Sequence, residues 1–275
     1  MQRDYQLLKN VLSVPTKTYQ EQHMIEFITN WLKENNIPYE VDDMFNIYVT
    51  KQTDSDVEYF PCVVSHTDTV HNLDSINIRE ENLMNEQKVL KLSLKAYNNE
   101  GNPTGIGGDD KCGIFACLEL LKELPNLKAA FFVSEETGCH GSRNADPNFF
   151  KNVGYAIQFD APGNSMVSEY CMGVKLFERD GNFFETCDKV LTESFNERND
   201  YQSHPYTDVY ALKQKFDFSC INFAIGYYNY HTKNEYVVVE DVFNGIETGK
   251  KLIKSLGYQK YKFENSKNKN YKMFF

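Results

Sequence analysis

The sequence predicts an α/β domain in which a central sheet is covered by helices. Two observations carry that expectation. Three short runs, Pro61-Cys62-Val63-Val64-Ser65, Ala129-Ala130-Phe131-Phe132-Val133 and Tyr155-Ala156-Ile157-Gln158-Phe159, are almost continuously apolar, as strands are when both of their faces are buried. Segments of helical periodicity alternate with them, the order of elements that builds an α/β fold.

Taken in order, the elements read as follows. Between residues 20 and 33, Met24, Ile25, Phe27, Ile28, Trp31 and Leu32 line one face of a helix, which Asn35-Asn36 ends. A strand is expected at residues 46–50. The next begins at Pro61, a position where a missing N–H is tolerated. Asp109-Asp110 is expected to cap a helix running through Ile114, Phe115, Leu118, Leu120 and Leu121. After the strands at 129–133 and 155–159 comes another at 221–225. A closing helix follows Asp241, with Val242, Ile246, Leu252, Ile253 and Leu256 on its apolar side.

Composition narrows the function. With 275 residues, 41% of them hydrophobic, the chain can bury the core of one large domain. No stretch approaches the roughly 18 apolar residues of a membrane span, and the first residues lack the apolar run of a signal peptide. The seven cysteines are an odd number and form no Cys-x-x-Cys pair, so neither a disulfide framework nor a zinc ribbon is expected; a reducing cytoplasm is. A net charge of -10 disfavours a nucleic-acid partner. Residues 258–275, with Lys260, Lys262, Lys267, Lys269 and Lys272, read as a polar, basic, solvated tail.

The polar residues that end the strands are the informative ones. His66 and Asp68 follow one strand, Glu135 and Glu136 another, and Asp160 ends a third. Asp109 stands at the mouth of a helix after Gly105-Ile106-Gly107-Gly108, and His231 follows the late strand. In an open α/β sheet, ligands collect beyond the carboxyl ends of the strands. Five segments therefore aim histidines and carboxylates at one place. Singly, each pattern is common; together and in order they are not.

In these five blocks the sequence resembles the co-catalytic two-zinc exopeptidases, which include peptidase T, the acetylornithine deacetylase relatives and the bacterial leucyl and glutamyl aminopeptidases. Their pattern is His-x-Asp, Gly-x-Asp-Asp-Lys-x-Gly, Glu-Glu-x-Gly, a strand ending in Asp, and a late His. This chain has His66-Thr67-Asp68, Gly107-Gly108-Asp109-Asp110-Lys111-Cys112-Gly113, Glu135-Glu136-Thr137-Gly138, Phe159-Asp160 and Tyr230-His231. The likeness extends over residues 5–256.

The resemblance implies a three-layer, phosphorylase/hydrolase-like domain with a mixed, mostly parallel sheet flanked by helices. It implies two divalent ions, zinc first, with cobalt or manganese also compatible. His66 and Asp160 would hold one ion, Glu136 and His231 the other, and Asp109 would bridge them. Asp68 would hydrogen-bond His66, and Glu135 would be the general base acting on a hydroxide that bridges the metals. Glycines 107, 108 and 113 would let the chain turn beside the metals. Lys111 could balance nearby carboxylates or lie on the surface. Cys112 and Cys139 are softer candidate ligands, but with the oxygen and nitrogen set already complete they are read as small packing residues.

One departure matters. Peptidase T and the deacetylases carry an inserted lid domain between the last two blocks, and the stretch from Asp160 to His231 is too short for it. The expectation is a single catalytic domain over residues 1–257, with a small insertion at 164–205 and no lid-mediated dimer; the oligomeric state stays open. Ser203-His204-Pro205-Tyr206-Thr207-Asp208 resembles the family's Gly-Thr-Asp run without its leading glycine. It is either substrate-positioning, through His204 or Asp208, or a polar loop capping a helix at 209–213. The substrate implied is a small peptide, cut from its N-terminus by an aminopeptidase or a di- or tripeptidase. The alternative on the same site is an N-acyl amino acid deacylase. A two-metal phosphoesterase and a non-catalytic binding protein are the readings from other classes.

Overall fold

The computed structural model describes residues 4–84, 88–204 and 206–263. The tail expected at 258–275 therefore lies mostly outside the described residues. Two helices open the chain, α1 (Tyr5–Ser13) and α2 (Gln22–Glu34). Asp4 starts α1 by accepting the Leu7 N–H at 2.9 Å, and Leu7, Leu8, Val11 and Leu12 make its buried face. Then come β1 (Tyr39–Val41), β2 (Ile47–Lys51), β3 (Phe60–His66), β4 (Asn77–Met84), β5 (Leu90–Tyr97), β6 (Pro103–Thr104) and α3 (Gly108–Glu123). The middle of the chain forms β7 (Leu127–Phe132), α4 (His140–Arg143), α5 (Pro147–Phe150), β8 (Val153–Ala161), β9 (Met166–Cys171), β10 (Val174–Lys175), α6 (Asn182–Ser194) and β11 (Asp200–His204). It closes with α7 (Asp208–Lys215), β12 (Ser219–Ala224), β13 (Tyr227–Tyr228), β14 (Tyr236–Val238) and α8 (Val239–Leu256).

Nine strands form the main sheet, in the order β1-β2-β7-β3-β8-β12-β9-β10, with β11 beside β9. The four central strands β7, β3, β8 and β12 run parallel to one another, while β1, β2, β9 and β10 enter in antiparallel pairs. The sheet is thus mixed, with a parallel centre, as expected. Every residue of those four central strands is buried, which is why they are nearly all apolar in sequence. Helix α3 packs on β3, β8 and β7 and touches α1 and α8, whereas α7 packs on β12, β3 and β8 and touches α4. Because the central strands are parallel, their carboxyl ends lie along one edge. Residues 166–204 extend the main sheet through β9, β10 and β11.

A second, five-stranded sheet joins β13, β14, β5, β4 and β6. Its hairpin of β4 and β5 escaped the sequence reading because β4 has no buried residue to mark it, its eight positions being exposed or half-exposed. The helix start was also misplaced. Asp109 does not cap α3, because its backbone is non-helical (φ -79°, ψ 105°). Asp110 alone caps, its Oδ1 accepting the Gly113 N–H at 3.1 Å. Lys111 is not on the surface: it is buried near the Glu235 carboxylate, and its Nζ donates to the carbonyls of Leu12 and Ile106 at 3.1 Å each, tying α1 to the glycine-rich turn.

Helix α8 meets the sheet at Gly249, where an added Cβ would lie 2.5 Å from the Phe159 ring. Alanine is the better helix former by up to about 1 kcal/mol, but overpacking a filled core costs about 1–3 kcal/mol. Gly249→Ala is therefore expected to lower stability in urea unfolding; a higher midpoint would show that the helix can move away from β8.

Candidate metal centre

Three of the five blocks leave the sheet at adjacent parallel strand ends. His66 ends β3, the Ser134-Glu135-Glu136 turn follows β7, and Asp160 is the penultimate residue of β8. Asp109 comes from the start of α3, and His231 from the loop between β13 and β14. His66 Nε2 lies 3.1 Å from Asp109 Oδ1, 3.7 Å from Asp160 Oδ1 and 4.0 Å from Glu135 Oε2. His231 Nε2 lies 2.9 Å from Glu136 Oε2 and 3.3 Å from Asp109 Oδ2. The Asp109 carboxylate therefore turns one oxygen to each histidine. His66, Asp109, Glu136, Asp160 and His231 thus lie near one another; their donor atoms group as His66 and Asp160 with Asp110, and as Glu136 and His231 with Asp109.

Asp110 also stands close, within 4.8 Å of donor atoms of His66 and Asp160. Its oxygens are already engaged. Oδ2 accepts from Ser65 Oγ at 2.7 Å and from the His66 N–H at 3.3 Å, and Oδ1 caps α3. Asp110 fixes the ends of β3 and α3, while the oxygens of Asp109 face the histidines. The peptide joining the two aspartates is cis.

The field at this site is strongly anionic. Burial alone would lower the His66 imidazole, but hydrogen bonds to Asp109, Asp160 and Asp68 outweigh it and raise its pKa well above the usual value. Hydrogen bonds to Asp109 and Glu136 lift His231 to about 10. Burial pushes the Asp160 carboxyl up, and the neighbouring Asp109 adds to that. Asp109 is also buried, yet its bonds to His231 and His66 hold it below the ordinary carboxylate range. The carboxylates thus concentrate negative charge where two imidazole nitrogens converge. Protons answer that field in part; divalent cations would answer it more completely. Two imidazoles and three carboxylates fit a pair of divalent ions by donor type, and Asp109 would stand between the two.

Asp68 sits where the expectation put it and does more than was read. His66 Nδ1 lies 3.1 Å from the Asp68 carbonyl and 3.3 Å from its Oδ1, so Nδ1–H is donated there, and Nε2, 3.1 Å from Asp109 Oδ1, is the nitrogen a metal ion would take. The same carboxylate accepts the N–H groups of Glu135 (2.9 Å) and Glu136 (3.2 Å) and the Thr18 hydroxyl (2.8 Å). It joins three segments in one bond set. Glu135 is buried, and burial pushes its pKa well above the usual value. Cys139, read as packing only, contacts it through Sγ at 3.4 Å from Oε1. Cys112 is fully buried.

Several residues of the site left little mark on the sequence. Glu21 accepts from the Ser134 N–H and hydroxyl, both at 3.1 Å, and so holds the turn before Glu135. Asn222 brackets the backbone of Asp160, accepting its N–H at 2.8 Å and donating to its carbonyl at 2.6 Å. Gln158 donates to Asp160 Oδ2 at 3.2 Å, and its Oε1 accepts from the Thr207 hydroxyl (2.6 Å) and the Val209 N–H (3.0 Å). The cap of α7 is thus Gln158 from β8, and Thr207 makes no cap of its own. His204 ends β11, buried, with Nδ1 against the Tyr206 carbonyl and Nε2 without a hydrogen-bond partner among the described residues. Asp208 is fully buried beside Gln158, and burial raises its pKa to about 7. A buried carboxylate, Glu235, is bonded to the Asp109 turn at 3.2 Å. Its only signal in the sequence is an acidic residue in the loop after His231.

No protein-family model matches the sequence, and no curated protein matches it. Solved structures do. Aminopeptidase PepT from Bacillus cereus superposes with a TM-score of 0.72 at 14% identity, the match covering 91% of this chain and 97% of that one. A tripeptidase from Staphylococcus aureus gives 0.68 at 12% identity, covering 92% and 98%. The TET1 peptidase of Pyrococcus horikoshii, which can assemble into a tetrahedron or a large octahedral shell, gives 0.63 at 14% identity, covering 92% and 98%. The fold is the one these three structures share. At these identities the likeness concerns the fold, including the mostly parallel sheet whose strand ends carry the site.

Proposed function

We propose that this chain is a two-metal-dependent peptidase that removes residues from the N-terminus of small peptides. The observation that carries the reading is the Asp109 carboxylate, with one oxygen on His66 and the other on His231. His66 and Asp160 would hold one ion, Glu136 and His231 the other, and Asp109 both. When bound, two divalent ions supply Lewis acidity, lowering the pKa of water and polarising the scissile carbonyl.

The chain's own residues do the rest. Asp68 keeps the His66 ring in one tautomer and fixes the amides of Glu135 and Glu136. Burial pushes the Glu135 carboxyl up, so it binds a proton more readily than a free carboxylate does. It takes a proton from the attacking water and returns it to the nitrogen of the leaving amine as the C–N bond breaks. His231 is 42% exposed in its side chain, so the centre opens on that side.

A single catalytic domain over residues 1–257, without a lid, is the organisation this reading uses. Two further observations fit a reducing cytoplasm: all seven cysteines are free and buried, and no helix among the described residues is long and apolar enough to cross a membrane. The test is elemental analysis combined with a cleavage panel. Two metal ions per chain and release of the N-terminal residue from free-amine di- and tripeptides are expected. Cleavage confined to N-acylated amino acids would replace the aminopeptidase by a deacylase. Turnover of nitrophenyl phosphate alone would move the chain to phosphoester hydrolysis, and a metal-loaded chain inert to every substrate would leave only a binding protein.

A further inference from the structure

We infer that Glu235 is the positioning residue that sets the bridging carboxylate, and through it the affinity for the second metal ion; the inference rests on the two-metal reading. Glu235 is 1% exposed, and both of its oxygens are engaged. Oε2 accepts the Gly107 N–H at 2.9 Å, and Oε1 accepts the Asp109 N–H at 3.2 Å. His71 Nε2 lies 2.7 Å from Oε2.

The partners belong to two other ligand-bearing segments. Gly107 and Asp109 belong to the turn that presents the bridge. His71 follows the strand end of His66 and Asp68. Glu235 itself lies in the same loop as His231. One carboxylate therefore fastens three segments that are far apart in the chain.

The surroundings leave no slack. Gly107 has a φ of +69°, and Gly108 sits where a Cβ would come within 2.6 Å of Tyr227 Cβ. A Cβ on Gly105 would fall 1.8 Å from the His71 ring. The turn is held against His71 on one side and Tyr227 on the other, with its amides aimed at Glu235. Asp109 contacts both histidines only if its backbone stays at this height, because its short side chain has no reach to spare. Glu136 and His231 are partly exposed, so the ion between them depends most on a fixed bridge.

Glu235→Gln preserves shape but replaces one acceptor by an N–H donor, which must then face a backbone N–H. The experiment titrates Zn2+ into the metal-stripped full-length chain by calorimetry, alongside circular dichroism. The expected result is an unchanged spectrum, an intact tighter site, and a weaker site whose affinity falls about 10–100-fold, the usual effect of removing a group that orients metal ligands. Two Zn2+ ions bound with wild-type affinities would overturn the inference, because a carboxylate with a merely structural role would alter melting and leave both affinities in place. Should Glu235→Gln not fold, His71→Ala decides. It leaves both amide contacts and frees only the Oε2 tether, and the weaker site must again lose affinity; if it does not, the inference fails. A wild-type chain that binds no Zn2+ would instead overturn the metal-dependent reading itself.

Discussion

Glu135→Gln is expected to lose about 10²–10⁴-fold in kcat, the usual contribution of a positioned proton-transfer group, while retaining two metal ions and the wild-type melting curve. The physical reason is a separation of roles within one turn. Glu136 points its carboxylate at His231, 2.9 Å away, and Glu135 stands 4.0 Å from His66 without displacing Asp109 or Asp160 from it. The substituted amide keeps the volume and cannot take a proton at neutral pH. The backbone N–H bond to Asp68 is untouched, so the turn keeps its shape. Kinetics and elemental analysis on one preparation check this. A variant that turns over normally removes Glu135 from the mechanism, and one that loses metal makes it a ligand.

Metal removal should act on stability as strongly as that substitution acts on rate. The native state brings the carboxylates of Asp109, Asp160, Glu135 and Glu136 together, and burial alone pushes the pKa of each upward. Ions that bind only the folded chain stabilise it by about 4 kcal/mol per site at a thousandfold excess over Kd. At roughly 2–4 °C per kcal/mol for a domain of this size class, losing both ions to excess chelator is expected to lower Tm by about 16 °C or more, reversibly on adding Zn2+. Scanning calorimetry with chelator and with saturating zinc measures the difference. Coincident curves would sink the two-metal centre whatever the kinetics showed.

The scaffold and the polar residues that converge at its strand ends were legible because both are written locally. Strands β3, β7 and β8 are buried along their whole length, so their sequences are apolar almost without interruption, and polar residues of the site stand at or just beyond their ends. What was not legible depends on distance in the chain. Glu235 meets Asp109 126 residues away, and Asn222 meets Asp160 62 residues away; neither pairing has a local pattern. The burial of Lys111 was not legible for a related reason. Lysine is a surface residue by composition, and only the tertiary fold brings the Leu12 carbonyl, 99 residues away, that joins the local Ile106 carbonyl in making its burial tolerable. The division of labour between Asp109 and Asp110 is equally tertiary, since two adjacent aspartates before a helix look alike until one is seen to cap it.

The order of strands in the main sheet bears on how the protein is made. Strand β3 is buried throughout, and both of its neighbours, β7 and β8, come later in the chain. A ribosome that has released residues up to 126 has delivered an apolar strand with two open edges and nothing to pair them. Parallel pairing over such separations is slow to form and exposes sticky edges meanwhile. Newly synthesised chains should therefore depend on chaperone protection until residue 161 has emerged, and His66 acquires its surroundings only at that point.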